Sequence, residues 1–165
     1  MTPILTTRPR KVDVATLELR FSALPAHVRT ARLVAAAVAR RSGVDEAVLD
    51  EVRLAVGEAC SRAVHLHRRY CPDRPVTVTL VDDPEVFRVV VADEAPVDDG
   101  TDEGDLADLT DLTDLSGGAA DLDDVVPPGV GLAVIAGLVD DVTVEQGGPG
   151  GGQGMTVRMS WPTKV

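Results

Sequence analysis

Three short stretches of the chain carry residue types able to do chemistry. Glu58 stands in LAVGEACSRAVHLH, residues 54 to 67, a run otherwise rich in Ala and Val. A carboxylate close to an apolar core is raised in pKa and can serve as a proton acceptor. Arg62 follows one helical turn later, close enough in that spacing to pair with Glu58, lower its pKa and weaken it as a base. Asp93 ends a run of β-branched residues just before an acidic stretch. A strand-terminal Asp is well placed to accept a hydrogen bond from a ligand amino group, although it is also a common turn-former. Gly129-Val130-Gly131-Leu132 directly precedes an apolar run. Glycines there permit close backbone approach, and the first N–H groups of a helix favour phosphate. The stretch lacks the Lys-Ser/Thr of a P-loop and the third glycine of a dinucleotide fingerprint.

The elements that must position these residues follow from hydrophobic periodicity. TLELRF, residues 16 to 21, alternates as a half-buried strand does. From Ala26 to Arg41, Val28, Ala31, Val34, Ala35 and Val38 recur at helical spacing until Ser42-Gly43 stops the helix. A second helix is predicted from about Asp45 to Tyr70, with Val48, Val52, Ala55, Ala59, Ala63 and Leu66 in one apolar row and Pro72 beyond its end. VTVTLV at 76 to 81 and VFRVVVAD at 86 to 93 flank Asp82-Asp83-Pro84-Glu85 as a hairpin. A glycine-started helix from about Val130 to Leu138, a strand at 141 to 146, the turn GGPGGGQG and a last strand at 155 to 161 complete the order. The fold class expected is α/β (α+β), a two-layer sandwich with helices on one face of a mixed, mostly antiparallel sheet.

At 165 residues the chain has the size of one domain. Residues 1 to 14 read as a flexible N-terminal segment. Residues 94 to 128 have no positive charge and few apolar anchors, and are expected to form a mobile acidic lid loop. Apolar stretches such as VAAAVA, 34 to 39, are far too short to cross a bilayer, and the start does not read as a signal peptide, so a cytoplasmic protein is expected. The net charge of -11 is uneven. Residues 1 to 88 carry 14 Lys/Arg against 11 Asp/Glu, and residues 89 to 165 carry 2 against 16. That acidic second half argues against direct nucleic-acid binding. Cys60 and Cys71, 11 positions apart on one helix, cannot bridge. His67 and Cys71 are spaced i, i+4 but offer too few ligands for zinc, and Cys60 reads as a small hydrophobe.

Taken together, the three stretches resemble the ATP-site boxes of the superfamily that includes histidine kinases, type II topoisomerases and heat-shock chaperones, and most closely its anti-sigma-factor serine kinase branch. That branch has Glu-Ala-x-x-Asn-Ala-x-x-His on a helix, Asp-x-Gly-x-Gly after a strand, Gly-x-Gly-Leu opening a helix, and a glycine-rich turn before a strand. Glu58 to Val64 match the first, Asp93 the start of the second, Gly129 to Leu132 the third and GGGQGMTVRM the last, a span of roughly residues 16 to 161.

The resemblance implies a kinase that uses ATP to phosphorylate a serine of an anti-anti-sigma protein and otherwise holds a sigma factor inactive. It implies Glu58 as catalytic base and an ATP site of Asp93 against the adenine, Gly129, Gly131 and Leu132 on the phosphate side, and Thr156 beside the adenine. The family often forms homodimers, and an apolar face beside the first strand would permit one. Two departures bear on the chemistry. Arg62 stands where the family has a magnesium-holding Asn, and an arginine donates hydrogen bonds only and cannot ligate Mg2+. Ala95 and Val97 stand where the family has glycines. The first could meet phosphate directly, and both put efficient phosphoryl transfer in question, so no metal ligand is expected and a non-catalytic binding module of the same fold is the competing expectation.

Overall fold

The computed structural model of the chain describes residues 14–96, 135–139, 141–148 and 151–164. Among the described residues five strands, β1 (Ala15–Phe21), β2 (Val76–Asp82), β3 (Val86–Ala92), β4 (Asp141–Gln146) and β5 (Met155–Pro162), form one sheet in the order β1-β2-β3-β5-β4. The sheet expected to be mixed and mostly antiparallel is antiparallel at every pairing. Helices α1 (Pro25–Ser42) and α2 (Leu49–Tyr70) lie between β1 and β2 in the chain and pack on each other and on the sheet. This is the two-layer α/β arrangement that the sequence predicts.

Alternation decides which face of the sheet is covered. Val76, Val78 and Leu80 of β2, Phe87, Val89 and Val91 of β3, and Val157, Met159 and Trp161 of β5 are all buried, while the residues between them are partly or fully exposed except near the site. Because side chains alternate along a strand, these residues form one apolar face. Register aligns it across the sheet, with Val78 opposite Val91 and Val91 opposite Val157. Val28, Ala31, Ala35 and Ala39 of α1 and Val52, Val56, Ala59, Ala63 and Val64 of α2 complete the core. Their small side chains let the two helices approach closely, which suits a chain with few aromatics. Trp161 packs against Phe87, ring centroids 6.2 Å apart, and its indole N–H donates to Glu51 Oε1 at 2.8 Å.

Helix α2 starts later than its periodicity predicts. Asp45 accepts from the Ala47 N–H and opens a 3-10 turn, Glu46–Val48, before the α-helical pattern begins at Leu49. The expected helix at 130–138 is described only from residue 135, where Ile135 and Val139 enter the core. Of the flexible segment expected at 1–14, only Val14 is described, and residues 97–128 of the expected lid lie outside the described residues. The first lid residues are not loose. Ala95 is buried and the Glu94 N–H is bonded to α2. Among the described residues, no helix is long and apolar enough to cross a membrane.

Candidate functional site

Helix α2 carries Glu58 and Arg62 one turn apart, and β3 delivers Asp93 at its end, where the chain leaves the sheet. Asp93 is 3% exposed. Its Oδ1 accepts from the backbone N–H groups of Ala95 and Met155, each at 3.2 Å, while its own N–H donates to the Met155 carbonyl at 3.0 Å. Its Oδ2 accepts from Arg62 Nη1 at 3.0 Å. A buried carboxylate needs this kind of complete satisfaction, because an unpaired charge in a low-dielectric interior is costly.

The Arg62–Asp93 pair corrects the pairing expected from helical spacing. Arg62 reaches across to β3 instead of back to Glu58, where the carboxylate most in need of compensation lies. Glu58 is buried as well. Burial pushes its carboxyl above the ordinary range, and the charge of Arg32 on α1 pulls it partly back. The lowered pKa expected for Glu58 is therefore replaced by a raised one, the more favourable setting for accepting a proton.

Gly57 explains how Arg32 comes near. A Cβ at Gly57 would stand 2.9 Å from Arg32 Cδ and 3.2 Å from its Nε. The arginine stem thus crosses α2 through the notch of a missing side chain, beside Glu58.

The glycine-rich turn before β5 has a scaffolding role. Gly154 has φ +123, and a Cβ there would lie 2.8 Å from the Asp93 carbonyl carbon. At Gly148 the same construction comes within 2.6 Å of the Asp93 carbonyl oxygen. Only glycine lets the turn close against the backbone of Asp93. Thr156, mostly buried in β5 opposite Ala92, donates its hydroxyl to the Gly147 carbonyl at 2.8 Å. It stands beside Asp93 through Met155, with its hydroxyl tied to the turn. Gly129, Gly131 and Leu132 lie outside the described residues.

Two contributors were not legible as such. Arg32 belongs to no motif in the sequence, and only packing brings it beside Glu58. The sequence offers His67 as a metal ligand beside Cys71, yet it is fully buried, with Nε2 accepting from the Glu94 N–H at 2.9 Å. That acceptor role puts the ring proton on Nδ1, which donates to the Arg74 carbonyl at 2.9 Å. Its place near the C-terminal end of the buried row of α2 was the available signal. Cys60 is buried, and burial pushes its thiol up to about 12, in keeping with a small hydrophobe. Cys60 and Cys71 are unbridged. Among the described residues no group of three or more His, Cys, Asp or Glu side chains could hold a metal ion.

The model of the histidine kinase-like ATPase domain family matches residues 21–161, and the chain belongs to that family. Membership implies ATP binding. Arg62, whose guanidinium offers donors alone, cannot itself ligate a metal ion. No curated protein matches the chain.

Proposed function

We propose that the chain is an anti-sigma-factor-like regulatory protein that binds ATP beside Asp93 and acts on protein partners in transcriptional partner switching. Its partners in this reading are an anti-anti-sigma protein, a sigma factor, or both. The observation that carries the reading is the pair of buried carboxylates, Glu58 and Asp93, in a chain of the histidine kinase-like ATPase family. Asp93 would accept from the adenine amino group. Glu58, with its raised pKa, would take the proton of a partner serine hydroxyl as its oxygen attacks the γ-phosphorus and ADP leaves. The protein would work in the cytoplasm without direct contact with nucleic acid or membrane. A second copy could pair along the edge strand β1, where Leu17 is exposed, as is Val14 just before the strand.

A non-catalytic binding module is the second reading, favoured by the Arg62–Asp93 ion pair and by the absence of a metal-ligating side chain at position 62. Calorimetric ATP titration with and without magnesium, followed by transfer of labelled phosphate to a co-purified partner, separates the two. Binding with transfer supports the kinase. Binding or partner capture without transfer supports the module, and neither binding nor capture overturns both.

A further inference from the structure

Asp93 has little left to offer a ligand. Backbone N–H groups saturate Oδ1, the guanidinium of Arg62 takes Oδ2, and the side chain is only 4% exposed. A ligand amino group and Arg62 therefore compete for one oxygen. We propose that Arg62 is a selectivity residue of the nucleotide site, admitting an amino-bearing purine to Asp93 only when phosphates on the same ligand draw the guanidinium away. The inference rests on the nucleotide reading above and adds to it the basis on which the site would choose among ligands.

Exchange energetics support it. The bond from Arg62 to Asp93 is charge-assisted, and such bonds are roughly twice as strong as neutral ones. An exocyclic amino group is a neutral donor, so a nucleoside replaces a strong bond with a weaker one. It also strands a half-buried guanidinium, and removing one partner of such a pair is strongly unfavourable. A nucleotide carries the remedy with it. Guanidinium matches phosphate oxygens in a bidentate, charge-assisted way, so Arg62 exchanges one anion for another while the carboxylate turns to the base. Both exchanges are near balance when made together, and the exchange at the base alone is uphill. Arg62 thereby links base recognition to phosphate recognition without a metal ion.

Calorimetric titration of the full chain with adenosine and with ATP, without magnesium, tests this in the wild type and in Arg62→Met, which keeps an apolar stem and removes the charge. Adenosine is expected to bind the variant about tenfold more tightly than the wild type or better, and the preference for ATP over adenosine to fall by at least a similar factor. A second arm needs no variant. Saturating inorganic tripolyphosphate should strengthen adenosine binding to the wild type, because each ligand removes the obstacle to the other. Equal adenosine affinity in the two proteins, or competition between tripolyphosphate and adenosine, overturns the proposal. If ATP still binds in that case, the nucleotide reading survives. If neither adenosine nor ATP binds either protein, both fall.

Discussion

The Glu94 N–H donates to Nε2 of His67 at 2.9 Å, so the last turns of α2 hold the chain one residue beyond Asp93. The same ring binds the Arg74 carbonyl through Nδ1, tying the segment before β2 to the exit of β3. His67→Ala removes both bonds and leaves a cavity. It is expected to destabilise the fold by about 2–4 kcal/mol, combining unsatisfied backbone groups with lost packing. Urea unfolding followed by the fluorescence of Trp161 measures it. His67→Phe fills the space without restoring the bonds and should recover only part of the loss. Full recovery by Phe would mean that packing, and not the clamp, is what His67 contributes.

Gly154 presses on the other side of the same turn. With φ +123 and the Asp93 carbonyl where a Cβ would stand, it has no room for a methyl group. Gly154→Ala should lower stability by about 2 kcal/mol or more, since a strained backbone of this kind costs roughly 1–3 kcal/mol before any clash. Gly152, whose added Cβ would meet nothing within 4 Å, is the control. Gly152→Ala should change the urea midpoint little. Equal midpoints for the two variants would show that the close approach to Asp93 carries no energy.

How much of this was legible in the sequence depends on the range of the interaction concerned. VTVTLV and VFRVVVAD declare their strands through local alternation, and the Ala/Val rows of α1 and α2 declare helices in the same way. Their boundaries agree with the structure to within a few residues. Glu58 and Asp93 stood out through their place in recognisable boxes. The partner of Arg62 did not, because helical spacing offers Glu58 at four residues while the actual partner is 31 residues away. Arg32 beside Glu58 and Gly154 against Asp93 are likewise contacts between elements, set by packing that no single segment encodes. Alternation alone also could not give strand order, and the antiparallel pairing of β3 with β5 is a tertiary result.

Glu58 makes stability depend on pH in a definite direction. Burial raises its folded-state pKa above the unfolded value, so the folded state holds more protons in the window between them. Stability from this group is fully present below the unfolded carboxyl pKa and is lost as pH rises through the folded one. Glu58→Gln, which cannot ionise, should flatten that fall and make the protein more stable than the wild type at neutral pH relative to mildly acidic pH. Urea unfolding across that range checks it, and a wild-type curve parallel to that of the variant would remove the buried-carboxylate interpretation. If the kinase reading holds, the same substitution should reduce phosphoryl transfer by about 10²–10⁴-fold, the usual contribution of a general base.

Gly57 provides the sharpest test of the link between α1 and Glu58. In the interior of an exposed helix, Gly→Ala gains about 1 kcal/mol from propensity. Here the new Cβ would lie 2.9 Å from Arg32 Cδ and 3.3 Å from Cγ, so the arginine stem has to leave the notch. Moving that charge away removes the one interaction that lowers the Glu58 pKa against its burial. Gly57→Ala should therefore raise the Glu58 carboxyl pKa further while yielding less than the propensity gain in stability. Arg32→Met, which keeps an unbranched apolar stem without the charge, should raise it too. Carboxyl-carbon NMR titration of Glu58 in the three proteins reads the shift directly, with or without catalytic activity. An upward shift in both variants establishes Arg32 as the residue that sets the Glu58 protonation range. If Arg32→Met leaves the titration unchanged, the proximity of Arg32 to Glu58 is packing alone.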